Sequence, residues 1–343
     1  GSLALAYAFA KCGRFNRKAG GMGGYAEYAF GTAGNFLANY TYGVSLLIAN
    51  VAIALTAVGY MQAFFGWTLS PVAVSLASIA VLWLTTVPNF GGARITGQIG
   101  AVTVWGIILP VVGISLIGWF WFDPQIYLDA WNPRNMGTLD AVSASISITL
   151  WSFLGLESAC ANADAVENPE RTVPIAVLVA TIGVALIYIA STNVVAGIIP
   201  NAELIKSSAP FGLAFSRIMS PAAGQVVIAL MIIACLGSLL GWQFTVAQVF
   251  KSSSDVGYFV RLFGKATAKG TPVVGMIILT LVQTGLAMMT MSPSLSEQFN
   301  LLVNLAVVTN LVPYILSMSA LAVMMKAYGA GSREYSLSLS MAF

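Results

Sequence analysis

Eight stretches of this chain are long and apolar, and nearly all are free of charge, which leaves few folds open. They lie at about 35–65, 72–87, 95–120, 141–165, 173–199, 224–250, 272–291 and 298–325, and seven of them contain no Asp, Glu, Lys or Arg. Roughly 20 apolar residues in a helix cross the hydrocarbon of a bilayer. Lipid offers no partners to backbone N–H and C=O groups, so such stretches must satisfy their own hydrogen bonds as helices. Only 8% of the residues are charged, against roughly a quarter in soluble domains. The expected class is therefore an all-α polytopic membrane protein, in contact with the lipid bilayer throughout. Two shorter apolar runs, 3–10 and 337–343, are too short to span and are expected to be parts of further helices.

The distribution of Lys and Arg orients the bundle. One set of alternate loops holds Lys11, Arg14, Arg17, Lys18, Arg94, Arg171, Lys251, Arg261, Lys265, Lys269, Lys326 and Arg333; the other holds only Arg134, Lys206 and Arg217. Positive charge collects on cytoplasmic loops, so the first set is expected inside. The overall charge of +3 gives no reason to expect nucleic acid as a partner. Trp119, Trp121, Tyr127 and Trp131 on the outer side read as an interfacial aromatic belt.

The exceptional stretch is 141–165. It carries Glu157 near its middle, and a carboxylate at membrane depth costs roughly 2.5–3.5 kcal/mol on insertion scales. Such a group faces a cavity or a partner. A break at Gly155-Leu156 would place Glu157 at the junction of two half-helices, next to Ser158, as the negative pole of a site for a small organic cation. Tyr42, Leu46 and Asn50 share one face of their helix, as do Ser238, Trp242 and Thr245, and Trp151 precedes the break. One carboxylate with Trp and Tyr faces suits a desolvated ammonium, because the rings add cation–π attraction. The bland alternative is a glutamate bonded across a packed interface, with Trp and Tyr filling core space. Asn304 and Asn310 either line a path or pack helices.

Other features carry less. Gly20 to Gly24 lacks the Lys-Ser/Thr of a phosphate loop and follows no strand, so it reads as a flexible cytoplasmic turn. Glu27 and Asp164, near cytoplasmic ends, have solvated or capping roles by default. The chain has no histidine, and Cys12, Cys160 and Cys235 are scattered. No metal site, cofactor or disulfide framework is expected, and an enzyme is poorly supported.

Longer motifs carry a resemblance. The runs WSFLGLES at 151–158 and ENPERTVP at 167–174 resemble the basic amino acid/polyamine antiporters of the amino acid–polyamine–organocation superfamily. GGMGGYAEY at 20–28, NYTYGVSLLIAN at 39–50 and GSLLGWQFTVAQVFKSSSD at 237–255 narrow the likeness, which covers essentially the whole chain. It implies a bacterial inner-membrane carrier with the inverted-repeat fold of the sodium-coupled leucine transporter, a midplane site between broken helices one and six, and possible dimers. On that plan the chain runs from a partial helix two to the start of helix eleven. Helix one, helix twelve and most of helix eleven would lie outside it, and such a fragment alone is expected not to transport. The resemblance implies exchange of putrescine for ornithine with a proton-coupled uptake mode; lysine–cadaverine and arginine–agmatine exchange are near alternatives, and a cation channel or a non-transporting sensor are distant ones. It assigns the acidic site residue to Glu157, gating aromatics to Trp151 and Trp242, and polar helix-three contacts to Tyr42 and Asn50; beside these, Gly155 and Ser158 at the break are expected to belong to the substrate site, with secondary roles for Glu27, Ser238 and Asn304.

Overall fold

A computed structural model of the chain describes every residue except 17, 19, 162–167, 293 and 343. Arg17, Asp164 and Glu167, with the end of the stretch expected at 141–165, lie outside the described residues. Among those described, every regular element is helical. In chain order the α-helices are α1 (Ser2–Phe15), α2 (Met22–Phe65), α3 (Pro71–Thr86), α4 (Ala93–Thr103), α5 (Trp105–Ile117), α6 (Pro124–Trp131), α7 (Thr138–Phe153), α8 (Leu156–Ala161), α9 (Pro169–Ile198), α10 (Asn201–Leu204), α11 (Pro210–Ile218), α12 (Pro221–Asp255), α13 (Val273–Met289), α14 (Leu295–Ala327) and α15 (Ser332–Ala342). Among the described residues, seven helical stretches are long and apolar enough to cross a membrane, and Val273–Met289 is a shorter apolar helix. The architecture is that of an all-α polytopic membrane protein.

Local chemistry sets the helix starts. Ser70, Ser220 and Ser294 each accept a hydrogen bond from the backbone N–H three residues on, and proline opens both α3 and α12. The serine satisfies one otherwise orphaned donor, and proline gives up no bond at that position. Helix α2 is the axis of the bundle and packs against α14, α12 and α3. Buried hydroxyls and amides stitch these helices together. Ser45 donates to the Ala306 carbonyl (2.8 Å), Asn89 to the Leu240 carbonyl (2.8 Å), and Trp83 to Thr284 (3.2 Å). Such bonds are worth about 0.6 kcal/mol each on average between helices in a membrane.

The glycine run at the start of α2 is not the flexible turn expected from its composition. Met22, Gly23 and Gly24 are buried in the first turn of the helix. Gly31 (φ 62°, ψ −155°) interrupts α2 and lets this first segment fold back on the longer remainder of the helix. Asn39 accepts from the Gly23 N–H (2.8 Å) and donates to the Gly20 carbonyl and to Ser253 of α12, both at 2.9 Å. A Cβ at Gly23 would stand 2.4 Å from Asn35 Oδ1. The glycines are there for close approach rather than flexibility.

The same end of the molecule gathers ion pairs. Lys11 and Arg14 of α1 both bind Glu334 of α15, and Lys18 binds Glu27 at 3.0 Å. At the opposite end, Tyr127 of α6 donates to Asn193 of α9 (2.5 Å).

Candidate functional site

Helix α7 stops where a glycine is needed. Leu154 is extended (φ −61°, ψ 139°), Gly155 has φ +107°, and α8 begins at Leu156. An L side chain is strained at that φ, and a Cβ on Gly155 would also lie 2.8 Å from the Trp242 ring tip. Glycine is thus required twice over. The break leaves backbone groups without helical partners, and nearby side chains take them up. The Gly155 N–H reaches both Glu157 oxygens (3.2 and 3.0 Å), and the Ser158 hydroxyl donates to the Gly155 carbonyl (2.6 Å).

Glu157 is only 1% exposed. Its second partner is the phenol of Tyr314, on α14, which donates to Oε2 at 2.7 Å. Phe9 of α1 packs edge-on against the Tyr314 ring, with centroids 4.8 Å apart. The Tyr42 hydroxyl is also buried and close enough for the carboxylate to act on it electrostatically, but it meets no hydrogen-bond geometry. Among the described residues Glu157 takes part in no ion pair. A carboxylate held by an amide and a phenol has no counter-charge beside it when it ionises. That is the chemistry of an acceptor for a cation or a proton.

Trp242 lies over the break. Beyond it a cavity of about 430 Å³ opens between α4, α5, α8 and α12, lined by Thr103, Ser158, Cys235, Ser238, Trp242 and Thr245 among others. Ser238 and Thr245 therefore share a wall with Trp242, as their helical spacing implied. Trp151 does not join them. It packs edge-on against Phe299 (6.2 Å) in a different apolar cluster from the one containing Trp242, so the two rings do not form one sandwich in this structure. Asn50 is fully buried and donates to Gln243 (3.3 Å). Glu27 lies apart, half-buried between Lys18 and Asn35. Asn304 is exposed; six residues later on the same helix, about 240° around its axis, Asn310 is buried near Tyr314. The site that Asn304 was expected to serve is reached by Asn310 and Tyr314 instead. Polar residues at i and i+4 in an apolar helix were the available signal for that pair. Among the described residues no group of three or more side chains suits a metal ion.

The sequence matches the amino acid permease family over residues 1–341. The chain belongs to that family. It is 66% identical over 326 residues to the "Putrescine transporter PotE" of Escherichia coli K12, which covers 95% of this chain and 74% of that protein. It is 63% identical to the Haemophilus influenzae protein of the same name, over all of this chain and 79% of the relative. A more distant relative is the "Cadaverine/lysine antiporter" of Escherichia coli K12, 32% identical over 92% of this chain and 72% of that protein. Family and relatives make this permease a multi-pass inner-membrane transporter and not an enzyme.

Proposed function

We propose that this permease exchanges putrescine for ornithine across the inner membrane and also takes up putrescine together with protons. The observation that carries the reading is Glu157, sealed at a helix break and bonded only to neutral donors. A diamine can neutralise that charge with one ammonium while its alkyl chain packs on Trp242, and an ammonium over the face of that ring would add cation–π attraction of roughly 2 kcal/mol or more in a dry site. Protonation of the carboxylate cancels its charge and releases the cation, which couples the two. Tyr42, Asn50, Gly155 and Ser158 shape the pocket around it. Ser238 lines the adjoining cavity. Trp151 and Glu27 act at a distance, the first within its own apolar cluster and the second near the basic end.

The much higher identity to the two putrescine transporters than to the cadaverine/lysine antiporter supports the shorter diamine. Chain length is a weak discriminator, since one methylene in an apolar pocket is worth about 1–3 kcal/mol. Diamine and amino acid cation differ by one charge, so exchange responds to membrane potential at about 2.3 kcal/mol per 100 mV. Proteoliposomes that hold the full-length protein and are loaded with ornithine are expected to take up labelled putrescine, with cadaverine competing less well. Glu157→Gln is expected to reduce uptake nearly to background while the protein still inserts. Wild-type uptake by that variant would remove the carboxylate from its central role.

A further inference from the structure

Trp242 covers the break, and a ring on so long a helix needs something to aim it there. The next residue on α12, Gln243, is 3% exposed and faces Gln283 of α13, which is fully buried. The two amides exchange both hydrogen bonds. Gln243 Nε2 donates to Gln283 Oε1 at 2.6 Å, and Gln283 Nε2 donates to Gln243 Oε1 at 2.9 Å. Asn50 of α2 adds a third bond, Nδ2 to the same Gln243 oxygen at 3.3 Å, and its own Oδ1 has no partner. Three helices therefore meet at one ring of amides.

Packing alone does not call for this arrangement. Apolar side chains of similar volume would fill the same space without desolvating three amides, and buried polar networks are demanding because each group must be satisfied. What an amide ring adds is direction: it forms at one rotation of α12 and no other. Successive helical residues are turned by about 100°, so pinning Gln243 to α13 and α2 fixes where Trp242 points. That direction leads to Gly155 and the cavity wall. The ring also turns Asn50, because committing its nitrogen to Gln243 leaves the oxygen as the free end.

We propose that the Gln243–Gln283 pair is the positioning device of the binding site, with Gln283 a positioning residue that acts through Gln243 on Trp242 and Asn50. The inference rests on the proposed transport function for its effect on substrate, but its effect on Trp242 can be measured without substrate. Gln283→Met keeps the volume and removes the ring. It is expected to shift the emission of Trp242, read as the difference from a Trp242→Phe background in substrate-free protein. It is also expected to raise the half-saturation concentration for putrescine by about threefold to twentyfold, the range that interhelical hydrogen bonds in membranes span, with less effect on the maximal rate.

Gln243→Met/Gln283→Met leaves neither glutamine of the pair without its partner, and so separates packing from aim. The proposal expects this double variant to regain part of the thermal stability lost in Gln283→Met, since Asn50 is still left without its partner, but to keep the altered Trp242 emission and the raised half-saturation concentration. A double variant with wild-type emission and wild-type half-saturation would overturn it and reduce the amides to packing. Absence of putrescine transport in every form of the full-length protein, wild type included, would instead defeat the functional reading, and the substrate-free emission of Trp242 would still decide the role of Gln283.

Discussion

Two carboxylates show how differently this protein treats negative charge. Glu334, near the surface, is matched by Lys11 and Arg14. Glu157, 1% exposed at membrane depth, is matched by a backbone N–H and a phenol and by no cation among the described residues. The first is neutralised by the protein and is a strut. The second is given hydrogen bonds but no counter-charge. Solvent screens the former, so losing it costs little, while nothing screens the latter. A charge kept that way in a membrane is costly, and a transporter of cations gives it a use. The difference lies in the partners rather than in the residue type.

Gly155→Ala should have the largest effect on this contrast. It forces an L residue to φ +107° and drives a methyl to 2.8 Å from Trp242, and strain and overpacking each cost about 1–3 kcal/mol. A marked fall in melting temperature and loss of putrescine uptake are expected. Adding Trp242→Phe should relieve the clash but not the strain, so it should recover only part of the stability. Full recovery would show that backbone strain at the break is small.

Next comes a matched pair of hydrogen-bond deletions. Tyr314→Phe takes a donor from the sealed carboxylate and is expected to cost about 1.5–3 kcal/mol, as for bonds to charged groups. Lys18→Met takes a cation from the half-buried Glu27 and should cost at most about 1 kcal/mol. Thermal unfolding in detergent at low and high salt compares them: the loss at Tyr314 should not depend on salt, and that at Lys18 should shrink with it. Equal, salt-sensitive losses would mean that Glu157 is solvated like a surface group.

That contrast also marks where the sequence could be read and where it could not. The bundle was legible because seven charge-free stretches admit little else, and Glu157 stood out as an acidic group in the eighth. The break beside it was legible from Gly155. Its partners were not, because Tyr314 lies 157 residues away and nothing in its neighbourhood announces a carboxylate. Gln243 and Gln283 passed unnoticed for the same reason; a pair 40 residues apart on different helices becomes a unit only when the helices pack. Gly20 to Gly24 misled, since composition speaks of flexibility while close approach to Asn35 and Asn39 depends on tertiary structure. Asn304 misled because its helical face could not be known without its neighbours.

A smaller effect is expected at that glycine run. Gly23→Ala places a methyl 2.4 Å from Asn35 Oδ1 and 2.6 Å from Asn39 Nδ2, so the amides that tie this segment to Ser253 must shift. Overpacking of this kind costs about 1–3 kcal/mol; the side-chain amides can give way, but the Asn35 backbone carbonyl, 2.8 Å from the same methyl, cannot. The melting temperature should fall, while substrate-free Trp242 emission should hold, since the change is confined to the basic end. A shift in that emission would show the two regions to be coupled.

The smallest expected effect is at Glu334, and its sign with pH can be worked out. The hydrogen bond from Lys11 is the largest influence on its carboxyl and lowers its pKa; partial burial opposes this, and the charges of Lys11 and Arg14 add to the lowering. A carboxyl whose folded pKa is depressed contributes stability that is fully present above its ordinary value near 4.5 and is lost as pH falls through the lower, folded value. Glu334→Gln should therefore melt slightly below wild type at neutral pH, by about 1 kcal/mol for a partly exposed pair. The two melting curves should converge as the solution is acidified below the ordinary carboxyl range. A gap that persists unchanged into acid would show that Glu334 holds α1 to α15 by packing rather than by charge, and the contrast with Glu157 would then rest on burial alone.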